Sequence, residues 1–109
     1  MEFRLMYPDE IFDKQVAEGI KIYDLRPVEE YHKAHWPGAI SYPYSNEPSW
    51  KKVFPLNREF ILYCQYGGTS MQALRQLGEA YWAYTVVGGY EAMKKIQERY
   101  LKNGWNMRQ

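Results

Sequence analysis

Short hydrophobic runs alternate with helical patterns along most of this chain. Apolar runs of strand length predict five β-strands, at residues 3–6, 20–23, 39–42, 60–63 and 85–87. Segments with apolar residues three and four positions apart predict four helices, at residues 8–18, 27–35, 70–80 and 90–103. Residues 43–57 contain three prolines and are the least regular stretch, so we expect a single helical turn there, at residues 50–53.

The first and last predicted helices each show an apolar face. In the first helix this face carries Ile11, Phe12 and Val16, and Gly19 ends the helix. The last helix has Glu91 and Lys95 spaced for an ion pair, and we expect Gly104 to end it before a loose tail, residues 103–109. Its predicted apolar stripe consists of Ala92, Met93, Ile96 and Tyr100.

Strands that alternate with helices predict an α/β fold, a single domain in three layers with a central, mostly parallel five-stranded sheet. In such sheets ligands bind beyond the carboxyl ends of the strands. Asp24-Leu25-Arg26, Cys64 and Gly88-Gly89 each follow a predicted strand. We therefore expect all three groups at one edge of the sheet, around a site centred on Cys64.

Residues 61–73 carry the main chemical signal. An apolar run ends at Cys64, and Gly67-Gly68 and Thr69-Ser70 follow it before a helix. Glycines let the chain bend sharply with N–H groups facing inward, and Thr69 with Gln72 fits a capping box at the helix start. A helix N-terminus also provides unpaired N–H donors and partial positive charge, which favour an anion.

The anion in such a loop would be the Cys64 thiolate or a group bound to its sulfur. Cys64 is therefore a candidate nucleophile. A single cysteine is also often a small buried core residue. We favour the nucleophile because an ordinary core strand needs no anion-binding loop after it.

Composition indicates a globular domain and bears on its possible partners. At 109 residues, with 46% hydrophobic and 25% charged residues, the chain has the composition of one globular domain. A net charge of +1 without a basic stripe argues against a nucleic-acid partner. The eleven tyrosines could form a partner surface, but we favour a role in the core.

The sequence also lacks targeting and metal-binding motifs. No apolar run is long enough to span a bilayer, and the first residues lack the pattern of a signal peptide. One cysteine permits no internal disulfide, and together with the missing signal-peptide pattern this predicts a reducing, cytoplasmic setting. The lack of a bilayer-spanning run predicts no membrane partner. The two histidines and one cysteine are too widely spaced to form a metal motif.

The sequence resembles the rhodanese-like sulfurtransferase family, and in particular its single-domain members. The resemblance covers residues 4–103 and depends on four motifs in this order and spacing. They are Tyr23-Asp24-Leu25-Arg26, Glu30-Tyr31 with His35-Trp36-Pro37-Gly38-Ala39-Ile40, Tyr63-Cys64-Gln65-Tyr66-Gly67-Gly68-Thr69-Ser70, and Val87-Gly88-Gly89-Tyr90.

The resemblance implies a rhodanese-like fold and sulfur transfer through a persulfide on Cys64. Cys64 would attack the outer sulfur of a donor such as thiosulfate, and the transferred sulfur would lie among loop N–H groups. Cyanide, a thiol or a protein acceptor would then remove it, without a cofactor or metal. The implied loop residues are Gln65, Tyr66, Gly67, Gly68, Thr69 and Ser70.

The chain departs from the family at two positions. Many single-domain members carry an arginine where this chain has Thr69, and Gln65 and Tyr66 are also uncharged, which puts thiosulfate as the native donor in doubt. Met93 lies where the family often has a tryptophan, and we expect it to fill the same space in the core.

Residues around the loop have structural and functional interpretations. We expect Asp24 mainly to bond local backbone or Arg26. Arg26 could attract an anionic donor or pair with Glu29 or Glu30. His35 is expected to be structural, and Trp36 and Tyr66 are candidate pocket walls, Tyr66 being the stronger of the two.

Two other functions compete with sulfur transfer. A cysteine phosphatase needs an arginine six positions after its cysteine to hold the oxyanion, but Ser70 occupies that position. A non-catalytic module could use the same fold for binding or for sensing persulfides. The presence of Cys64 argues against this module, whereas the absence of cations in the loop argues for it.

Overall fold

The protein is described by a computed structural model that covers residues 4–102, with side chains to residue 99. Within this part of the chain, five strands form one all-parallel sheet in the order β1-β5-β4-β2-β3, with helices between the strands. The elements are β1 (Leu5–Met6), α1 (Ile11–Glu18), β2 (Lys21–Asp24), α2 (Val28–Lys33), β3 (Ile40–Ser41), β4 (Glu59–Tyr63), α3 (Gly68–Leu77), β5 (Trp82–Val86) and α4 (Gly89–Lys102). The predicted α/β class is confirmed.

Two short 3₁₀ helices complete the chain order. One covers Pro8–Glu10 and leads directly into α1, and the other covers Pro48–Val53 in the irregular stretch where a single turn was predicted. No helix within residues 4–102 combines the length and apolar character needed to cross a bilayer.

Several boundaries differ from the prediction. Helix α3 ends at Leu77 because Gly78, at φ +80°, closes it, and β5 begins at Trp82, three residues earlier than expected. Asn103, Gly104 and the predicted tail lie outside the described residues, as do Phe3 and the side chain of Tyr100.

Each face of the sheet covers its own hydrophobic core. On the first face Phe12 and Trp36 pack with ring centroids 4.5 Å apart, and Met93 is fully buried, as expected for a residue that fills the core. Val16, predicted on the apolar face of α1, is instead 65% exposed. The second core lies under α3 and the irregular stretch after β3, which contributes Trp50 and Phe54.

Aromatic residues are concentrated in these two cores. Tyr42 stacks on Trp50 with centroids 5.3 Å apart, and its hydroxyl donates to the Trp50 carbonyl at 2.6 Å. His35 stacks on Tyr31 at 3.8 Å, with its Nδ1 2.8 Å from the Tyr31 carbonyl oxygen. Within the described residues the core interpretation of the aromatic content is therefore confirmed, and His35 has structural contacts, as expected.

The sheet order brings the three predicted groups together at one edge of the sheet, which we call the rim. Strand β4 lies between β2 and β5, with Asp24 opposite Tyr63 and Leu62 opposite Thr85. All strands run parallel, so Asp24, Cys64 and Gly88 leave the sheet at the same edge.

Candidate functional site

The loop between β4 and α3 directs two backbone N–H groups at the Cys64 sulfur. The N–H groups of Gly67 and Ser70 donate to Sγ at 3.1 and 3.2 Å. Gly67, with φ +109°, is the N-cap of α3, and no side chain caps the helix. The sulfur therefore takes the place of a capping oxygen, and the predicted capping box between Thr69 and Gln72 is wrong.

The start of α4 fixes the opposite side of this loop. Tyr90 N–H donates to the Cys64 carbonyl at 2.8 Å, and Glu91 N–H donates to the Gln65 carbonyl at 3.1 Å. These bonds require close backbone approach at Gly89, which has φ +61° and where a Cβ would lie 2.6 Å from the Cys64 oxygen. Because the carbonyls at 64 and 65 face α4, the later N–H groups are free to face the sulfur.

Two buried hydroxyls lie behind the sulfur. Ser70 Oγ is 3.5 Å from Cys64 Sγ, and it also makes a short hydrogen bond with the Thr85 hydroxyl of β5. Ser70 was part of the predicted loop, but Thr85 was not predicted as a site residue. The available signal was a polar residue in a strand whose other residues are apolar or aromatic, because a buried hydroxyl there requires a hydrogen-bond partner.

Asp24 and Arg26 form a buried ion pair beside the loop. Arg26 Nη2 lies 2.7 Å from Asp24 Oδ2, and its Nε and backbone N–H also donate to Asp24. Arg26 Nη2 further donates to the Ala34 carbonyl at 2.7 Å. Of the two roles left open for Arg26, pairing with Glu29 or Glu30 is wrong, because its partner is Asp24, and Glu30 pairs with the exposed Lys33.

The ion pair shifts the titration of its neighbours. Burial lowers the pKa of Arg26, but the hydrogen bonds and negative charge of Asp24 outweigh it and raise the pKa above the usual value. Burial raises the pKa of Tyr63, and its 2.5 Å hydrogen bond to Asp24 raises it further. Asp24 thus has the structural contacts that were expected of it.

Gln65 connects this pair to α4. Its Oε1 accepts from Arg26 Nη1 at 3.2 Å, and its Nε2 donates to Glu91 Oε2 at 2.5 Å. Glu91 pairs with Lys94 at 3.2 Å, one position before the predicted Lys95. The Gln65 side chain therefore links the segment after β2 to α4 at the rim.

Cys64 is reached through a cavity of about 410 Å³. Arg26 is the one cation among the described residues that line the cavity, and its charge is paired with Asp24. The other lining residues are Leu25, Pro27, Pro43, Tyr44, Gln65 and Thr69. The cavity therefore presents a sulfur atom, a neutral loop and apolar walls.

Neither predicted aromatic wall lines this cavity. Trp36 is fully buried in the first core, where its indole Nε1 donates to Gln15. Tyr66 is 73% exposed and lines a separate cavity of about 400 Å³ on the other side of the loop, together with Met71. Within residues 4–102 no three His, Cys, Asp or Glu side chains are grouped to bind a metal ion.

Known proteins were compared with the chain by sequence and by structure. The family model of the rhodanese-like domain matches residues 8–96. No curated protein matches the sequence significantly. A rhodanese-like domain protein from Staphylococcus aureus has 25% identity and a TM-score of 0.75, over 84% of this chain and 91% of that one.

Two further solved structures share the fold. The human single-domain sulfurtransferase superposes with a TM-score of 0.71 at 20% identity, covering 86% of this chain and 97% of its own. A rhodanese-related protein from Thermoplasma volcanium superposes with a TM-score of 0.74 at 16% identity, covering 95% of this chain and 96% of its own. At these identities the likeness concerns the fold.

Proposed function

Because this chain belongs to the rhodanese-like domain family, we propose that it is a sulfurtransferase that carries a sulfur atom as a persulfide on Cys64. One observation above all supports the proposal, namely that the Gly67 and Ser70 N–H groups both donate to Cys64 Sγ. Main-chain donors in this arrangement stabilise a thiolate and, after loading, the sulfur bound to it.

The first half-reaction loads the cysteine. The Cys64 thiolate attacks the outer sulfur of a donor such as thiosulfate, a new S–S bond forms, and the donor's S–S bond breaks. With thiosulfate, sulfite leaves with the electron pair of the broken bond. The persulfide anion remains on Cys64 at the carboxyl end of β4, where the helix N-terminus favours negative charge.

The second half-reaction releases the sulfur. A nucleophile such as cyanide or a thiolate attacks the terminal sulfur, and the Cys64–sulfur bond breaks. The electron pair returns to Cys64 Sγ, which the two N–H groups again stabilise as a thiolate. The products are thiocyanate or an acceptor persulfide, and the kinetics should be ping-pong.

A second candidate is a non-catalytic module that binds or senses persulfides. It is favoured by the charge of the cavity, because the lining cation Arg26 is already paired with Asp24 and no other described lining residue is cationic. A doubly negative donor would find little attraction there.

The phosphatase alternative is weaker, since buried Ser70 occupies the position where a phosphatase needs its arginine.

Intact-mass measurement after treatment with sulfur donors tests the proposal. Reduced protein is incubated with thiosulfate and, separately, with mercaptopyruvate, and is then weighed beside Cys64→Ser. The proposal predicts a gain of one sulfur atom in the wild type and none in Cys64→Ser. A folded wild type that gains no sulfur from either donor would contradict it and favour the binding module.

A further inference from the structure

The Ser70 hydroxyl lies among more acceptors than it can serve at one time. Its oxygen is 3.5 Å from Cys64 Sγ, 3.2 Å from the Gly67 carbonyl oxygen and in hydrogen-bond contact with Thr85 Oγ1. Ser70 is fully buried and Thr85 is 1% exposed. A hydroxyl has one proton to donate, so the direction of these bonds must depend on the charge of the sulfur.

The two charge states of the sulfur require different directions. In the thiol state Cys64 S–H donates to Ser70 Oγ, and the Ser70 proton is free for the Gly67 carbonyl or Thr85. Once the thiol proton has left through the cavity, the thiolate can only accept. The Ser70 hydroxyl then turns its proton to the sulfur, and its oxygen can accept from the Thr85 hydroxyl.

We propose that Ser70 and Thr85 form a hydroxyl relay that follows the charge on Cys64, and that Thr85 is a positioning residue for the sulfur chemistry. The catalytic consequence of the relay depends on the proposed sulfurtransferase function. Thr85 acts through Ser70, because a hydroxyl that accepts a hydrogen bond becomes a stronger donor to the next group. The relay supports the sulfur both as attacking thiolate and as leaving thiolate.

The position of Thr85 supports this role over simple packing. It lies on β5 opposite Leu62 of β4, so the relay connects the sulfur at the end of one strand to the neighbouring strand. All other neighbours of Thr85 on β5 are apolar or aromatic, and its hydroxyl bonds Ser70. An aliphatic residue of the same shape would fill this place without the hydroxyl.

Other charged and titratable groups around Cys64 must be held constant in a test. Arg26 and Tyr44 line its cavity. Asp24 and Tyr90 face it through Arg26, whose guanidinium lies 4.1 Å from the Tyr90 ring centroid, and Glu91 faces it through Gln65. None of the variants below changes any of these groups.

The test measures the rate of Cys64 alkylation by iodoacetamide as a function of pH, in wild type, Thr85→Val and Thr85→Ser. Valine keeps the shape and suits a strand, whereas serine keeps the hydroxyl. Tyr84→Phe is the matched control, because it removes a hydroxyl from the adjacent position of β5 that bonds Glu59 instead. Far-UV circular dichroism confirms that each variant is folded.

The relay predicts that Thr85→Val raises the pH midpoint of alkylation by roughly half to one pH unit, about a three- to tenfold smaller thiolate fraction near neutral pH. Thr85→Ser and Tyr84→Phe should keep the wild-type midpoint. A wild-type midpoint in folded Thr85→Val, or an equal shift in Thr85→Ser, overturns the proposal. If Thr85→Val does not fold, Ser70→Ala replaces it, and a wild-type midpoint there has the same meaning.

The alkylation experiment is independent of sulfur transfer. It uses no sulfur donor, so the expected shift can be found in a protein that takes sulfur from no donor, and that result would count against the proposed function alone. If a donor loads the wild-type protein with sulfur but Thr85→Val keeps the wild-type alkylation midpoint, the result would count against the relay alone.

Discussion

The neighbouring strands β2 and β4 end side by side but stabilise charge in different ways. At the end of β2, the side chains of Asp24 and Arg26 neutralise each other in a buried ion pair. At the end of β4, backbone N–H groups of Gly67 and Ser70 converge on a sulfur atom without a charged side chain. One end is therefore fixed by side chains and the other by the main chain.

This difference explains how the rim can offer a site at Cys64. A buried charge needs a partner, and Asp24 and Arg26 supply that partner to each other, so neither charge is left for a ligand. Amide dipoles carry no net charge and keep their direction, so they can stabilise an anion that is present only during part of a reaction. The predictions below first disturb the main-chain end, then the side-chain end, and finally add a charged side chain to the main-chain end.

Gly89→Ala should have the largest effect on sulfur loading, because it disturbs the backbone contacts that hold the Cys64 loop. A Cβ would lie 2.6 Å from the Cys64 carbonyl oxygen and 2.8 Å from that of Gln65. Left-handed strain and this clash together should lower the free energy of unfolding by about 2–5 kcal/mol. Sulfur loading, followed by intact mass, should fall by more than about tenfold.

Gly19→Ala is the matched control for backbone strain. Gly19 has φ +62°, close to that of Gly89, but among the described residues no atom beyond its own chain neighbours lies within 4 Å of an added Cβ. Denaturant unfolding should show a loss of about 1–2 kcal/mol, with loading unchanged. Equal losses of stability and loading in both variants would show that the contact with the loop has no special role.

Asp24→Asn should lower stability strongly and affect the sulfur less. It leaves the buried Arg26 guanidinium without a counterion, which typically costs about 3–5 kcal/mol in the free energy of unfolding. Loading per folded molecule should fall by less than about tenfold, because the N–H groups that face Cys64 make no bond to Asp24. Urea unfolding and intact mass measure the two effects.

Glu30→Gln is the control for loss of a carboxylate charge. Glu30 pairs with Lys33 at 3.1 Å on the surface, where such pairs contribute about 0–1 kcal/mol. An Asp24→Asn variant as stable as Glu30→Gln would contradict the view that the end of β2 depends on its ion pair.

Thr69→Arg should have the smallest effect, limited to anionic donors. Thr69 is exposed and lines the Cys64 cavity, so an arginine there adds an unpaired charge where the chain has none. We expect loading by thiosulfate to become about three- to tenfold faster at low ionic strength and the gain to shrink with salt.

Thr69→Gln separates the charge from the length of the side chain. It should load from thiosulfate at the wild-type rate at every ionic strength. A faster Thr69→Gln, or a gain in Thr69→Arg that is insensitive to salt, would show that charge is not the cause.

The order of elements could be predicted from the sequence because apolar runs and glycines mark it locally. Gly19 ends α1, and the run before Cys64 forms β4, as expected. The end of α3 was missed although Gly78 marks it, because the aromatic residues after it do not distinguish a helix from a strand. The capping box failed because Gly67, not Thr69, is the N-cap of α3, and the Cys64 sulfur accepts the N–H group of Ser70 in the first turn.

Contacts between distant parts of the chain could not be predicted in the same way. Gln65 bonds Arg26 across 39 positions and Glu91 across 26, and no local pattern indicates either partner. The Ser70–Thr85 bond depends on the register of two adjacent strands and on which face of β5 carries Thr85. Sequence alone indicated Cys64, its loop and the nearby Asp24 and Arg26 as a candidate site, but not Thr85 or the partners of Gln65.

One complete turnover tests the role of Cys64 most directly. Protein loaded from a sulfur donor is freed of that donor and mixed with cyanide, and its intact mass and the thiocyanate released are measured together. The account predicts that the protein returns to its reduced mass with one thiocyanate formed for each sulfur lost. A loaded protein that retains its sulfur in the presence of cyanide would contradict sulfur transfer.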